Sequence, residues 1–377
     1  MAKKVVEMGL YEYEREHHRG SGHHQGKMNP KNKKDNSKRS VIPWSDLPEI
    51  LLYLVCSHLR FGDFLSFQRV CSTWRAAAKQ LGHCLNSPLL MLPSLGEGFH
   101  HLKCPLDRRW YMLTVPPDFS LTYQCLGSFH GWLLMVHAVT RDIIFLFNPF
   151  TSTRIDLPQW GGTIIYKATL SSAPKDPNCT VIILDESHWS FSFCRIGDVE
   201  WTRRDSDSTF LTDALMFRGK FYLLCSQKPA TNTIPLLNVE YLELPHQPYS
   251  DAVIDNVSHL VESAGELLLV VKRYDLPDIL PFDFMVFKLD PSTSLWIETK
   301  KIGNRVLFLG RSSASFNATE LRCKENQIYF LEPLYDYTTW WAFNMEDGRI
   351  KCFAFNAGLI RRAIPGNDPL WITPSFV

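Results

Sequence analysis

The sequence predicts an α+β multidomain chain of two unlike parts. A small all-α module of two or three short helices lies near the amino end, and an all-β propeller of about six blades follows. Three observations carry this. The stretch Trp44 to Ala78 repeats apolar residues at helical spacing. From Leu89 onward helical periods vanish, and short runs rich in Val, Ile, Leu, Phe, Tyr and Trp alternate with Gly, Pro, Asn and Asp. Those runs recur at a spacing in the mid-forties, the length of one four-stranded propeller blade.

The totals permit this division and exclude several classes. A chain of 377 residues can hold a small module and one large domain. Its 45% hydrophobic and 21% charged content is that of an ordinary globular protein. Lys+Arg 40 against Asp+Glu 39 leaves a net charge of +1, which argues against a chain-wide nucleic-acid footprint. No apolar run is long enough to cross a bilayer, and the start MAKKVVEMGLYEYEREHH has no apolar signal core. The expected location is cytoplasmic and/or nuclear, with no membrane partner. The 10 cysteines form no C-x-x-C pair, and several lie in apolar runs, as Cys225 does after Phe221-Tyr222-Leu223-Leu224, so reduced thiols are expected.

Residues 1–40 read as a disordered basic tail of low hydrophobicity. Lys27, Lys31, Lys33, Lys34, Lys38 and Arg39 give it a positive end, and His17-His18 and His23-His24 suggest only weak adventitious metal binding. Residues 42–80 form the helical module. Ser45 and Asp46 are start signals ahead of Pro48, and Ile50, Leu51, Leu54, Val55 and Leu59 recur at helical spacing. Gly62 and Asp63 are read as a break. Phe64, Leu65, Phe67, Val70 and Trp74 begin a second set, closed by Arg75 and a run of alanines. Helices this short carry more apolar surface than they can hide among themselves, so a partner or the rest of the chain must cover it.

This stretch resembles an F-box. The resemblance rests on Leu47-Pro48-Glu49, the Ile50/Leu51 and Leu54/Val55 pairs, Leu59, Asp63-Phe64-Leu65 and Val70-Cys71-Ser72-Thr73-Trp74-Arg75. It implies a module of three helices that docks on a Skp-family adaptor and, through it, on the cullin of a RING ubiquitin ligase. The residues it implies for the adaptor side are Leu47, Pro48, Ile50, Leu51, Leu54, Leu59, Val70 and Trp74. Cys56-Ser57-His58 depart from the pattern, standing where many members carry a more charged helix end.

Residues 81–88 read as a linker and 89–377 as the propeller. Each copy opens on Gly or Asn, continues as an apolar strand, and is followed by a second strand and a polar turn. The first runs from Gly131 to Val136 and then Ile143 to Phe147; the second, lacking the Gly, from Thr180 to Leu184 and Phe191 to Arg195. The third is Gly219 to Leu224 with Val239 to Leu244, the fourth Gly265 to Val270 with Phe284 to Leu289, the fifth Asn326 to Phe330 with Trp340 to Phe343. From Gly131 to Gly219 is 88 positions with one copy between, and from Gly219 to Gly265 is 46. The last interval, 61, predicts an insertion. A HEAT-like helix pair has a similar period but would show helical spacing. The partial copy near Trp110-Tyr111-Met112-Leu113 is expected to complete a sixth blade with strands around Leu370-Trp371-Ile372.

This region is similar to the KIB-type propeller domain of plant F-box proteins, known as domain of unknown function 295. The likeness spans nearly everything after the linker; Leu260 to Val270 and Val286 to Gly310 are its most specific segments, with Gly131-Trp132-Leu133, Asn148-Pro149-Phe150-Thr151, Asn326 to Phe330 and Trp371 to Ser375 matching as well. The paired glycines of kelch repeats and a repeated Trp-Asp ending are missing.

No catalytic pattern is visible: no G-x-S-x-G, no phosphate-cradling G-x-x-x-x-G-K-[ST] and no H-E-x-x-H. No catalytic, metal or cofactor residues are assigned. Asp185-Glu186 with His188 is the nearest acid/base cluster, in a position where a polar turn is expected anyway. Trp160, Trp189, Trp340 and Trp341 lie near turns and either anchor a partner or pack between blades. Three readings follow. The resemblances favour a non-catalytic substrate receptor of a cullin-RING ligase, binding an adaptor and a client of unknown identity. The alternatives are a propeller that binds a small molecule or sugar with a vestigial F-box, and a nucleic-acid regulator working through the basic tail.

Overall fold

A computed structural model of the chain describes residues 10–12, 43–59, 61–81, 88–92, 99–106, 109–116, 122–206, 209–229, 237–245, 257–274, 281–331, 339–354 and 369–374. The chain divides into two compact units, Glu12–Gly82 and Met1–Tyr11 with His83–Val377. The tail expected over residues 1–40, with its histidine pairs and basic end, lies outside the described residues except for Leu10–Glu12. No helix among the described residues is long and apolar enough to cross a membrane.

The helical unit holds α1 (Glu49–Ser57), α2 (Phe61–Val70) and α3 (Ser72–Leu81). The break between α1 and α2 falls at His58 and Leu59, whose amides donate to Val55 O (3.1 Å) and Cys56 O (3.2 Å) in a tightened last turn. Gly62 and Asp63, read in the sequence as the break, belong instead to the first turn of α2. An acidic residue there faces the positive helix end, and the first turn tolerates glycine better than the middle does.

The other unit is a six-bladed propeller. Its chain begins with β1 (Leu10–Glu12), β2 (Leu89–Met91), β3 (Phe99–Lys103) and β4 (Trp110–Thr114). The first complete blade is β5 (Tyr123–Phe129), β6 (Trp132–His137), β7 (Ile144–Asn148) and β8 (Thr153–Asp156). The second is β9 (Ile165–Leu170), β10 (Thr180–Asp185), β11 (Ser190–Arg195) and β12 (Thr202–Asp205). The third is β13 (Leu211–Phe217), β14 (Lys220–Cys225) and β15 (Val239–Glu243). The fourth is β16 (Val257–Ser263), β17 (Glu266–Tyr274), β18 (Pro281–Leu289) and β19 (Trp296–Thr299). The fifth comprises β20 (Arg305–Leu309), β21 (Ala314–Asn317), the single-turn helix α4 (Ala318–Leu321), β22 (Gln327–Phe330), β23 (Thr339–Asn344) and β24 (Ile350–Ala354). Last comes β25 (Leu370–Ile372), which pairs antiparallel with β2 and joins the first strands as the sixth blade, in the order β1-β4-β3-β2-β25. The expected closure around Leu370-Trp371-Ile372 is therefore present.

Propeller strands are covered on both faces, which is why their apolar runs are continuous and do not alternate. On β10, Val181 and Ile183 pack toward the first blade, and Ile182 and Leu184 toward the third. Further buried clusters fill the seams between the third and fourth, fourth and fifth, and fifth and sixth blades. Each fully buried Leu, Ile, Val or Phe contributes about 1.5–3 kcal/mol of transfer free energy, so the ring is held by its seams.

The glycines that open the copies are turn residues. In His130-Gly131, Arg218-Gly219 and Ala264-Gly265 both residues have positive φ, and each pair joins two antiparallel strands as a two-residue hairpin. Asn326, with φ 57°, stands just before β22.

The third and fifth sheets, like the sixth, depart from simple successive hairpins. β15 pairs with β14 in parallel, so the chain crosses over between them. In the fifth sheet β20 lies between β21 and β22 and runs parallel to β22. The 61-residue interval thus holds an extra strand and α4.

Candidate functional site

The helical unit carries a row of open apolar side chains on one helix. α1 is apolar around most of its circumference. Leu52 and Cys56, four residues apart, form its buried face, and burial pushes the Cys56 thiol up to about 11. Ile50, Leu51, Leu54 and Val55 recur at i, i+1, i+4 and i+5 and so share the opposite side. They are 71%, 43%, 58% and 43% exposed. Pro48 at the amino end of α1, Val70 at the carboxyl end of α2 and Trp44 are also exposed. Inside the unit, Phe64 and Phe67 of α2 and the small Ala77 and Ala78 of α3 are buried.

Trp74 has a different place. It is half-buried, its ring lies 4.5 Å from that of Phe67, and its Nε1 donates to the Trp44 carbonyl at 2.9 Å. Arg75 Nε donates to Gln68 O at 3.1 Å. Together these clasp α3 to α2 and to the segment that enters α1. Of the eight residues singled out in the sequence, Pro48, Ile50, Leu51, Leu54 and Val70 lie open, while Leu47, Leu59 and Trp74 are half-buried. Two open residues, Trp44 and Val55, were not among the eight. The signal for Val55 was available, since it follows Leu54 on the same face.

The propeller turns resolve the remaining candidates. Asp185 accepts from Ser187 N (3.0 Å), Ser187 Oγ and Ser190 Oγ (3.2 Å), and Arg203 Nη2 lies 3.6 Å from it. His188 Nδ1 is 2.8 Å from Leu211 O, with its ring between Tyr166 and Phe210. Asp185 is spent on building the turn, and His188 on joining it to the start of the third blade. Trp160 and Trp340 are buried in blade seams and Trp341 is half-buried, whereas Trp189 is 50% exposed. No disulfide joins the described cysteines, and no cluster of three or more His, Cys, Asp or Glu suited to a metal occurs among the described residues.

A three-helix module with an uncovered apolar helix face, ahead of a six-bladed propeller, is the build of an F-box protein. Residues 44–85 match the F-box domain and residues 101–356 match the KIB1-4 beta-propeller. The chain belongs to the KIB1-4 beta-propeller family and carries an F-box domain. The F-box/kelch-repeat protein At1g57790 of Arabidopsis thaliana is 26% identical over 88% of this chain and 94% of its own length. From the same plant, F-box protein At3g56470 is 25% identical over 75% of this chain and 77% of its own. Among solved structures, an oligogalacturonate lyase in complex with manganese overlaps 67% of this chain and 69% of its own, at 11% identity and a TM-score of 0.31. That level of likeness says nothing about the chemistry of this chain.

Proposed function

We propose that this chain is the substrate-recognition subunit of an SCF-type cullin-RING ubiquitin ligase. The observation that carries the reading is the row of exposed Ile50, Leu51, Leu54 and Val55 on α1, backed by buried Leu52 and Cys56. Four contiguous apolar side chains left in water on so small a unit mark a surface meant to be covered. The F-box match supports a Skp-family adaptor as the cover, with a cullin bound through it. Leu47, Pro48, Leu59, Val70 and Trp74 complete the adaptor side, the half-buried ones by shaping the helices. The propeller holds a client, and the complex acts by proximity while bond-making belongs to other subunits. Cytoplasm and nucleus are the compartments that suit this role.

The test is co-purification with a Skp-family adaptor. Ile50→Asp and Leu54→Asp place a carboxylate where the interface must be dry, and recovery of adaptor is expected to fall at least about a hundredfold. The same variants should keep the native helical circular dichroism, because both side chains are exposed. Undiminished recovery of adaptor by Ile50→Asp and Leu54→Asp would refute the reading.

A further inference from the structure

We propose that the cleft between the fourth and fifth blades binds a phosphorylated side chain on an extended peptide segment. That the peptide belongs to a client rests on the receptor reading above. The cleft has a volume of about 280 Å³ and lies where β16 turns into β17 and where the chain passes from β19 to β20. It is just below the usual range of small-ligand pockets, about 300–1,000 Å³, and is suited to one side chain. Leu268 and Ile302 supply its apolar lining, and Ser263 and Thr299 add hydroxyls.

Charge selects the occupant. Lys288, Lys301 and Arg305 line the cleft against a single carboxylate, Glu266. Lys288 Nζ is paired with Glu266 Oε1, which leaves a surplus of two positive charges within the lining, those of Lys301 and Arg305; Lys301 also feels Glu346 from outside the lining. A phosphate monoester carries close to two negative charges at neutral pH and matches that surplus, whereas a carboxylate would answer half of it. Guanidinium and ammonium groups are the usual holders of phosphoryl oxygens.

The site is also held in shape. Arg305 Nε donates to Ser315 Oγ and its Nη2 to Ser315 O, both at 2.9 Å, which fixes the guanidinium plane. Ser315 Oγ in turn lies 2.8 Å from Ser263 Oγ. Ile302 N donates to Asn326 Oδ1 at 2.9 Å, pinning the segment that carries Lys301 to the fifth blade. A preformed site loses less ordering entropy when it binds.

The neighbouring strand accounts for the rest of a peptide. β19 is last in its sheet; Ile297 is exposed on it and Leu295 just ahead of it. Ile297 pairs directly with Lys288 across the β18–β19 ladder. A segment extended along this edge sets apolar side chains on Leu295 and Ile297 while its phosphate enters the cleft.

The experiment uses the full chain bound to its adaptor and three peptide libraries with the same degenerate flanks. One has a fixed phosphoserine, one serine and one glutamate. Selective retention of the phosphoserine library is expected, with loss of about tenfold or more in Lys301→Glu. Lys301 is exposed, so an unchanged melting temperature should accompany that loss. Arg305→Gln should weaken retention too, and if it disturbs the fold the Lys301 variant decides. Lys175→Ala removes an exposed lysine between β9 and β10 of the second blade and should retain the library fully. Equal retention of serine or glutamate libraries, or undiminished retention by Lys301→Glu, overturns the proposal. Adaptor recovery is read from the same samples, so failure of the receptor reading shows separately.

Discussion

Lys167 Nζ lies 3.0 Å from Asp213 Oδ1, joining the first strands of the second and third blades through a buried ion pair. The Asp213 Oδ2 accepts from the Leu260 amide of β16 at 2.7 Å, and its Oδ1 from the Ala214 amide at 2.7 Å. One carboxylate thus ties three consecutive blades. Burial pushes its carboxyl up, while Lys167 and the amides of Leu260 and Ala214 pull against that.

Removing one member of this pair strands the other in a dry place. Asp213→Ala is expected to lose about 3–5 kcal/mol of stability. The double variant Lys167→Met/Asp213→Leu should lose clearly less than Asp213→Ala alone, because no charge is left unanswered. Denaturant unfolding of the three proteins measures this. Equal stability of Asp213→Ala and the parent would show that the pair ties nothing.

His259 sets a pH dependence. Burial, then Lys272 and Lys167, hold its imidazole well below the usual value, and its Nε2 has no hydrogen-bond partner among the described residues. Its Nδ1 lies 3.4 Å from Ser313 Oγ. The folded chain keeps this ring neutral while the unfolded chain takes up a proton below about pH 6.5. Unfolding therefore gains protons, and stability falls as pH drops through that value, by at most about 1.4 kcal/mol per unit for one histidine. His100 and His130, also lowered by burial, add the same sign, and Asp213 opposes it. His259→Gln should flatten the slope of denaturant midpoint against pH between about 5 and 7 relative to the parent, with the other groups common to both. Parallel slopes would rule out this assignment.

Much of this was legible in the sequence. A ring of about six blades followed from five recurring strand pairs and a partial sixth, and three of those pairs were marked by Gly131, Gly219 and Gly265, because a two-residue hairpin turn needs positive φ and glycine supplies it. The sixth blade followed from unpaired apolar runs at the two ends. Strand direction did not follow. Val239 to Glu243 reads as an apolar strand whether it runs with or against β14, since side-chain alternation is the same either way. Nor did the tie between Lys167 and Asp213, 46 residues apart, because lateral pairing between blades leaves no local pattern. On α1 the apolar period showed which residues recur, but Leu52 and Leu54 look alike until α3 covers one of them.

Trp74 is expected to act as a clasp more than as a contact. Trp74→Phe keeps an aromatic ring beside Phe67 and loses the bond to the Trp44 carbonyl, about 0.5–1.5 kcal/mol. Trp74→Ala loses both and should cost more. Hydrogen exchange of the α3 amides reads the difference. Unchanged protection in Trp74→Ala would contradict the clasp.

The turn at Ala264-Gly265 leaves room for improvement. Ala264 has φ 53°, a left-handed conformation that asparagine adopts more readily than alanine. Ala264→Asn should raise stability by about 0.5–1 kcal/mol, visible as a higher denaturant midpoint with unchanged slope. A lower midpoint would show that the turn is set by its surroundings, such as the Arg218 Nη2 bond to Gly265 O at 2.6 Å.

The pairing of Leu370–Ile372 with Leu89–Met91 has a consequence for how the protein is made. Trp371 from this last strand donates its Nε1 to Leu309 O at 3.2 Å and lies against Phe308, so it also seals the fifth blade. Until Leu370–Ile372 have emerged from the ribosome, β2 has no antiparallel mate on that side and Phe308 lacks the cover of the Trp371 ring. Ring closure therefore waits on a strand about 280 residues downstream of the one it joins, and a chain cut back before Leu370 would leave that seam ajar for quality control to find.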